Sequence, residues 1–196
     1  SQVGEQALNV GRVAALIAGW PETVCATTVD RQCGSSMQAA MNGASAIQAG
    51  HLDLVIAAGI ENMSRVPMGS NLGDAGFSVF SEKLFDQWQI VPQGISAEVI
   101  AEEWDLSREQ LDAFSLESHR RALAAIDDGR FEDEIVPVEV TNPHVGALVG
   151  VDETPRRDTS AEGLAKLKPA FAAPKDPSGR ATGLGTVTAG NSSQTS

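Results

Sequence analysis

The stretch VDRQCGSSMQAA, residues 29–40, joins two kinds of sequence. A β-branched run, Thr27, Thr28 and Val29, stops at Asp30-Arg31-Gln32. A thiol follows at Cys33, then Gly34, two serines and a helix-forming stretch. The pattern predicts a strand that turns into a helix, with Cys33 on the turn. A thiol at such a junction has two readings. It is a small core residue, because free cysteine is among the most buried residue types. Or it is a nucleophile, because the unpaired N–H groups and partial positive charge of a helix start favour the thiolate. Gly34 lets the backbone come close to a reacting group, and the cysteine's own N–H is placed to help bind an oxyanion.

Outward from this stretch the chain alternates. Residues 23–29, TVCATTV, predict a short buried strand, which places Cys25 in the core as an inert thiol. Residues 34–50 predict a helix stopped by Gly50, and 52–60, LDLVIAAGI, a second buried strand. Residues 4–19 predict a helix ended by Gly19 and Pro21. Helix, strand, helix, strand with short links predicts an α/β layered domain with parallel strands. The helix after Cys33 carries no charge from Gly34 to Gly50 and is built of Ala, Gly, Ser and Met. A surface helix would show a polar stripe, so this one is expected between layers, buried on several sides.

After Pro67 the composition becomes irregular and Gly-rich. Residues 95–104 and 107–131 predict charged amphipathic helices, the second opened by a capping box of Ser107 and Gln110. Residues 133–140, DEIVPVEV, read as an edge strand broken by Pro137. Residues 141–182 read as loops around a short helix near Glu162–Lys168, and 183–193 return to strand-then-turn. The expected organisation is a partial N-terminal α/β half at 1–64, an inserted mixed α+β loop domain at 65–182, and a return to the first half at 183–196.

The net charge of −12 argues against a general nucleic-acid binder. No apolar run approaches the roughly 20 residues of a membrane-spanning helix. Two cysteines eight residues apart form neither a zinc spacing nor a disulfide framework, which points to a reduced, cytoplasmic setting. The chain begins with Ser1 and stops in a Gly/Ser-rich turn, as an internal fragment would. There is no Walker A segment, and no G-x-G-x-x-G follows the first expected strand, which sets aside a dinucleotide-binding domain.

Five segments carry a more specific signal. VDRQCGSSMQA (29–39) resembles the nucleophile segment of thiolases. GIENMSRVP (59–67) resembles their G-x-E-x-M-S-x-x-P segment, and QGISAEVIAEEW (93–104) their M-G-x-x-A-E-x-x-A segment. LAKLKPAF (164–171) and GTVTAGNSSQTS (185–196) resemble the two segments that flank their coenzyme A site. All five occur in family order across nearly the whole chain.

The resemblance implies a thiolase-like fold and a 3-ketoacyl-CoA thiolase, an acetyl-CoA acyltransferase that cleaves 3-ketoacyl-CoA to acetyl-CoA and a shortened acyl-CoA. Cys33 would take the acyl group as a thioester. Ser193 matches a serine contacting the pantetheine, and Leu167, Phe171 and Ala189 match residues lining the pantetheine and adenine site. Arg156, with Arg157, matches a basic residue near the adenine and phosphate end. Coenzyme A and acyl-CoA would be substrates, with no permanently bound cofactor and no metal, and the protein a homodimer or homotetramer acting in fatty-acid metabolism, away from nucleic acid and membrane. Read from the residues alone, Leu167 and Phe171 are ordinary core, and the arginine pair is either a solvated loop or, in so acidic a chain, a local site for an anionic nucleotide.

The departures from the family pattern bear on specificity. Asp30 replaces an Asn, and Ser36 a Gly. Pro92-Gln93 stands where the common thiolases have His-Met, which places Gln93 on the acyl and pantetheine path and suggests an unusual 3-ketoacyl substrate. The stretch AAPKDPSGRATGL (172–184) is longer than expected. The family's G-H-P histidine and C-x-G cysteine are absent, so this chain alone is expected to lack a full catalytic cycle. His51, His119 and His144 lie outside those contexts; His51 and His119 read as structural or solvated. Two rival readings are a decarboxylating ketoacyl synthase and a non-catalytic acyl-CoA or lipid-binding relative in which Cys33 is inert.

Overall fold

The computed structural model describes residues 1–140, 148–171 and 185–193, which divide into two compact units, 1–88 and 89–195. His144 and the 172–184 stretch lie outside the described residues.

In the first unit the expected helix over 4–19 is split. A 3-10 turn, Gly4–Gln6, precedes α1, Val10–Ile17, with Leu8 and Asn9 between them in the left-handed region at φ 55° and 57°. Asn tolerates that conformation better than most residues. Its side chain donates to the Ala26 carbonyl at 2.8 Å and accepts from Thr28 Oγ1 at 3.2 Å, which ties α1 to the segment before Cys33. Arg12 adds donations to the carbonyls of Val24 and, at 2.8 Å, Glu22. The buried Gln6 bridges the Ser1 carbonyl and the Asn62 N–H.

Residues 23–29 and 52–60 are not strands here; 23–29 are exposed or half-buried, and most of 52–60 is exposed. Cys25 is likewise exposed rather than core. β-branched composition records a fit to a pleated, half-buried surface, and that fit is realised only against a paired neighbour. Neither segment pairs with another among the described residues.

The uncharged helix forms as expected, as α2, Ser35–Gln48. Its small residues do serve close approach: a Cβ added at Gly43 would lie 2.8 Å from Val55 Cγ1. Burial on several sides is not seen, since Gly43 is its one buried residue and Met37 and Met41 are exposed. Beyond Pro67 a 3-10 run, Ser70–Val79, bends at Gly73 and Gly76. A short α3, Glu82–Gln87, unanticipated from sequence, is capped by Ser81.

The second unit is built on α4, Gln93–Glu103, and α5, Arg108–Asp127. Ile95, Glu98 and Ala101 are the buried residues of α4, at intervals of three, one face of a helix. α5 opens with the expected capping box: Ser107 Oγ accepts from the Gln110 N–H at 3.3 Å, and Gln110 Oε1 accepts from the Ser107 N–H at 2.8 Å. The expected strand at 133–140 shortens to β1, Val138–Glu139, antiparallel to β2, Leu148–Val149. Pro137, which lacks an N–H, stands immediately before the paired residues. α6, Ala161–Ala165, is capped by Ser160, and the strand expected after 183 reduces to a single bridge between Thr188 and Pro169. The buried residues of this unit include Ile95, Ala101, Leu164 and Val187 beside the polar Glu98, Asp112, Thr186 and Thr188.

Candidate functional site

Cys33 lies in the first unit, one residue before Gly34, the N-cap of α2. Its backbone is left-handed, φ 60°, which costs an L residue about 1–2 kcal/mol. A turn closes beneath it, from the Gly34 N–H to the Arg31 carbonyl at 2.8 Å. Ser35 stitches the same turn, accepting from the Arg31 N–H at 3.0 Å and donating to its carbonyl at 2.9 Å, while the Arg31 guanidinium donates to Gln38 Oε1 at 2.5 Å on α2. The thiol is exposed, next to a helix start whose first N–H groups have no intrahelical acceptor. A strained, side-chain-braced turn that presents a thiol at a helix start suits a nucleophile.

The second unit holds a cleft of about 290 Å³ between α5, α6 and the turn that follows Thr188. Leu164 and Leu167 line one part of it, Ala189, Gly190 and Ser192 another, and His119, Arg156 and Asp158 bring the charged and titratable groups. Gly190 lets the turn come close to α6, since a Cβ there would lie 2.5 Å from both Leu164 Cδ2 and Leu167 Cδ1.

Buried polar groups hold this cleft together. The Glu98 carboxylate is 1% exposed. Its Oε2 accepts from the Thr186 N–H at 3.1 Å and Thr186 Oγ1 at 2.6 Å, and its Oε1 from the Val187 N–H at 2.8 Å. Asp112 on α5 accepts from Arg108 Nε at 2.8 Å and from Asn191 Nδ2 at 2.9 Å. Asn191 also donates to the Thr186 carbonyl and accepts from the Thr188 N–H, so one amide shapes the whole turn. Arg108 Nη2 donates to the carbonyls of Leu164 at 2.6 Å and Leu167 at 3.1 Å, which fastens the end of α6 to α5. Among the described residues no buried side-chain nitrogen or oxygen lacks a partner.

The two arginines differ. Arg156 lines the cleft and forms a two-bond pair with Asp158, Nε to Oδ1 at 3.2 Å and Nη2 to Oδ2 at 3.1 Å. The hydrogen bond from Arg156, and then its charge, hold the Asp158 carboxyl below the ordinary range. The Arg156 N–H donates to His119 Nδ1 at 3.1 Å, which fixes the imidazole against the loop. Arg157 turns to Asp127 at the end of α5, at 2.6 and 3.1 Å, and is not among the residues lining the cleft.

A family model for the thiolase N-terminal domain matches residues 1–196. The chain belongs to the thiolase family. It is 42% identical over 194 residues to a probable acetyl-CoA acetyltransferase of Escherichia coli, covering 94% of this chain and 47% of that protein. It is 44% identical over 176 residues to a steroid 3-ketoacyl-CoA thiolase of Mycobacterium tuberculosis, covering 85% and 42%. The crystal structure of the Bacillus anthracis acetyl-CoA acetyltransferase is 37% identical and matches with a TM-score of 0.72, over 94% of this chain and 46% of that one. These likenesses give the chain part of the α/β thiolase-like fold that its motifs implied. It spans about half the length of the curated relatives it matches.

Within this thiolase domain the residues singled out from sequence fall into separate places. Leu167, Ala189 and Arg156 meet in the cleft. Phe171 packs on Gly94 of α4, so closely that a Cβ there would lie 2.0 Å from Phe171 Cε2. Gln93, the first residue of α4, and Ser193, at the end of the turn, are exposed. His119, read from sequence as structural or solvated, lines the cleft; Asp158, Gly190 and Ser192 in the lining, and Glu98, Asp112 and Asn191 behind it, were not singled out. Glu98 carried a readable signal, an acid three residues from Ile95 and three from Ala101 on an apolar face. Asp158 pairs with Arg156 two residues away, whereas Asn191 meets Asp112 across 79 residues and Arg156 meets His119 across 37. Among the described residues no helix is long and apolar enough to cross a membrane, and no group of three or more His, Cys, Asp or Glu is placed to hold a metal ion.

Proposed function

We propose that the protein is a 3-ketoacyl-CoA thiolase and that this chain supplies its nucleophile and part of its coenzyme A site. The observation that carries the reading is the thiolase match over residues 1–196, together with Cys33 on its left-handed turn at the start of α2. The Cys33 thiolate attacks the 3-keto carbon of a 3-ketoacyl-CoA. The bond between C2 and C3 then breaks, and its electron pair leaves on acetyl-CoA as the enolate, which takes up a proton. The thiol of a second coenzyme A loses its proton and attacks the acyl-cysteine, so the shortened acyl-CoA departs and the Cys33 thiolate is regenerated. The 196 residues contain neither a G-H-P histidine nor a C-x-G cysteine, so the proton transfers fall to residues outside them.

The cleft in the second unit takes one end of the coenzyme. Its volume lies near the lower end of ordinary ligand sites, about 300–1,000 Å³, and suits a portion of so long a molecule. Leu167 and Ala189 give apolar contact and Arg156 a partner for phosphate. Arg157 adds positive charge nearby, Phe171 and Ser193 line the pantetheine, and Gln93 borders the acyl path. The protein works as a homodimer or homotetramer in the cytoplasm, with no permanently bound cofactor. Its chain is organised as a first half at 1–64, an inserted loop domain at 65–182 and a return at 183–196.

The test is mass spectrometry of the full-length protein after mixing with acetoacetyl-CoA and quenching in acid. The reading requires an added acetyl mass on the peptide bearing Cys33, removed by coenzyme A and absent from Cys33→Ser. Binding of acyl-CoA with no adduct on Cys33 overturns it in favour of a non-catalytic relative.

A further inference from the structure

We propose that Asp158 is a specificity-determining residue of the cleft: its carboxylate occupies the face of Arg156 that the 3′-phosphate of coenzyme A would use, and so sets how much that phosphate adds to binding. This rests on the reading of the cleft as a coenzyme A site.

Of the neighbouring arginines, only Arg156 is among the residues lining the cleft. Its Nε and Nη2 donate in parallel to the two oxygens of Asp158. That edge of a guanidinium is also the one that grips a phosphate with two parallel hydrogen bonds, so carboxylate and phosphate compete for the same donors. Both side chains are largely exposed, at 65% and 74%. An exposed pair of this kind is weak enough for a ligand to displace. The charged and titratable groups lining the cleft are His119 from α5 with Arg156 and Asp158 from the loop before α6. The bond from the Arg156 N–H to His119 fixes the backbone from which the guanidinium projects, so the exchange of partners takes place in the side chain.

Two effects follow from a carboxylate in this place. It holds the arginine fork in the cleft while no ligand is bound. It also taxes any phosphate that enters, by competing for the fork and by repelling like charge. A ligand without a phosphate at that end pays neither cost.

The experiment compares coenzyme A with 3′-dephospho-coenzyme A by isothermal titration calorimetry on the full-length protein, as wild type, Asp158→Asn, Arg156→Gln and the double variant. Asp158→Asn is expected to tighten coenzyme A roughly two- to fivefold, the span of an exposed ion pair. It should leave the dephospho form unchanged, and the gain should vanish when Arg156 is also replaced. Equal changes for both ligands, no change for either, or a gain that survives in the double variant overturns the proposal while leaving the cleft as a coenzyme A site. Failure of the wild type to bind either ligand removes that site and this proposal together.

Discussion

Replacing Glu98 by alanine tests whether a single buried carboxylate holds the wall of the cleft. The substitution removes the acceptor of three donors, the N–H groups of Thr186 and Val187 and the Thr186 hydroxyl, at residues no more than 9% exposed. Hydrogen bonds to a charged group contribute about 1.5–3 kcal/mol each. The three share one carboxylate and are not additive, so the expected loss is about 3–5 kcal/mol. For a protein of about 200 residues each kcal/mol lowers Tm by about 2–4 °C, and by less in a longer one, so the shift is at most about 6–20 °C. Glu98→Gln keeps the shape and one carbonyl oxygen but turns an amide NH₂ toward a donor. It should lose about half as much. The assay is urea unfolding of the full-length protein followed by circular dichroism, with thermal melts alongside. A loss below about 1 kcal/mol for the alanine variant, or equal losses for both variants, would refute the reasoning.

Gly190→Ala drives a methyl to 2.5 Å from the tips of two leucines, one of them the buried Leu164, so stability should fall by about 1–3 kcal/mol, and the Leu167→Ala background should recover part of it in a double-mutant cycle. Ser107→Ala removes the acceptor of the capping box and should cost about 1 kcal/mol by denaturant midpoint, with no effect on coenzyme A affinity. Hydrogen bonds from Arg120 and then Arg121 hold Glu117 at about 2, below its ordinary 4.5. Its contribution is therefore complete above about 4.5 and is lost as the pH falls toward 2; carboxyl titration by NMR should show that midpoint, moving up when both arginines are replaced by glutamine.

The parts legible in sequence are those whose cause is local. The capping box at Ser107 and Gln110 is decided within four residues, and the helix after Cys33 by its own composition. The stretch around Cys33 disclosed a reactive-looking turn, although its left-handed backbone needed coordinates. Residues 23–29 misled, because a β-branched run states a preference that only a partner strand fulfils. The cleft was legible in outline, through Leu167, Ala189 and Arg156, and only because short segments resembled a family. Nothing in the sequence singles out Asp158, two residues from Arg156, because a sequence does not say which way a guanidinium turns.

The anchors of the 185–192 turn lie far upstream. Glu98 meets Thr186 across 88 residues and Asp112 meets Asn191 across 79. On the ribosome these two acids are made long before Thr186, Val187 and Asn191, with Arg108 already beside Asp112, and the inner faces of α4 and α5 wait for that segment. The helices are free to form early from local contacts, but the cleft closes only when the TVTAGN segment emerges and threads between them. That segment is thus both a wall of the cleft and the last piece of it to arrive, so a ribosome stalled before residue 186 would leave α4 and α5 without the turn that closes the cleft.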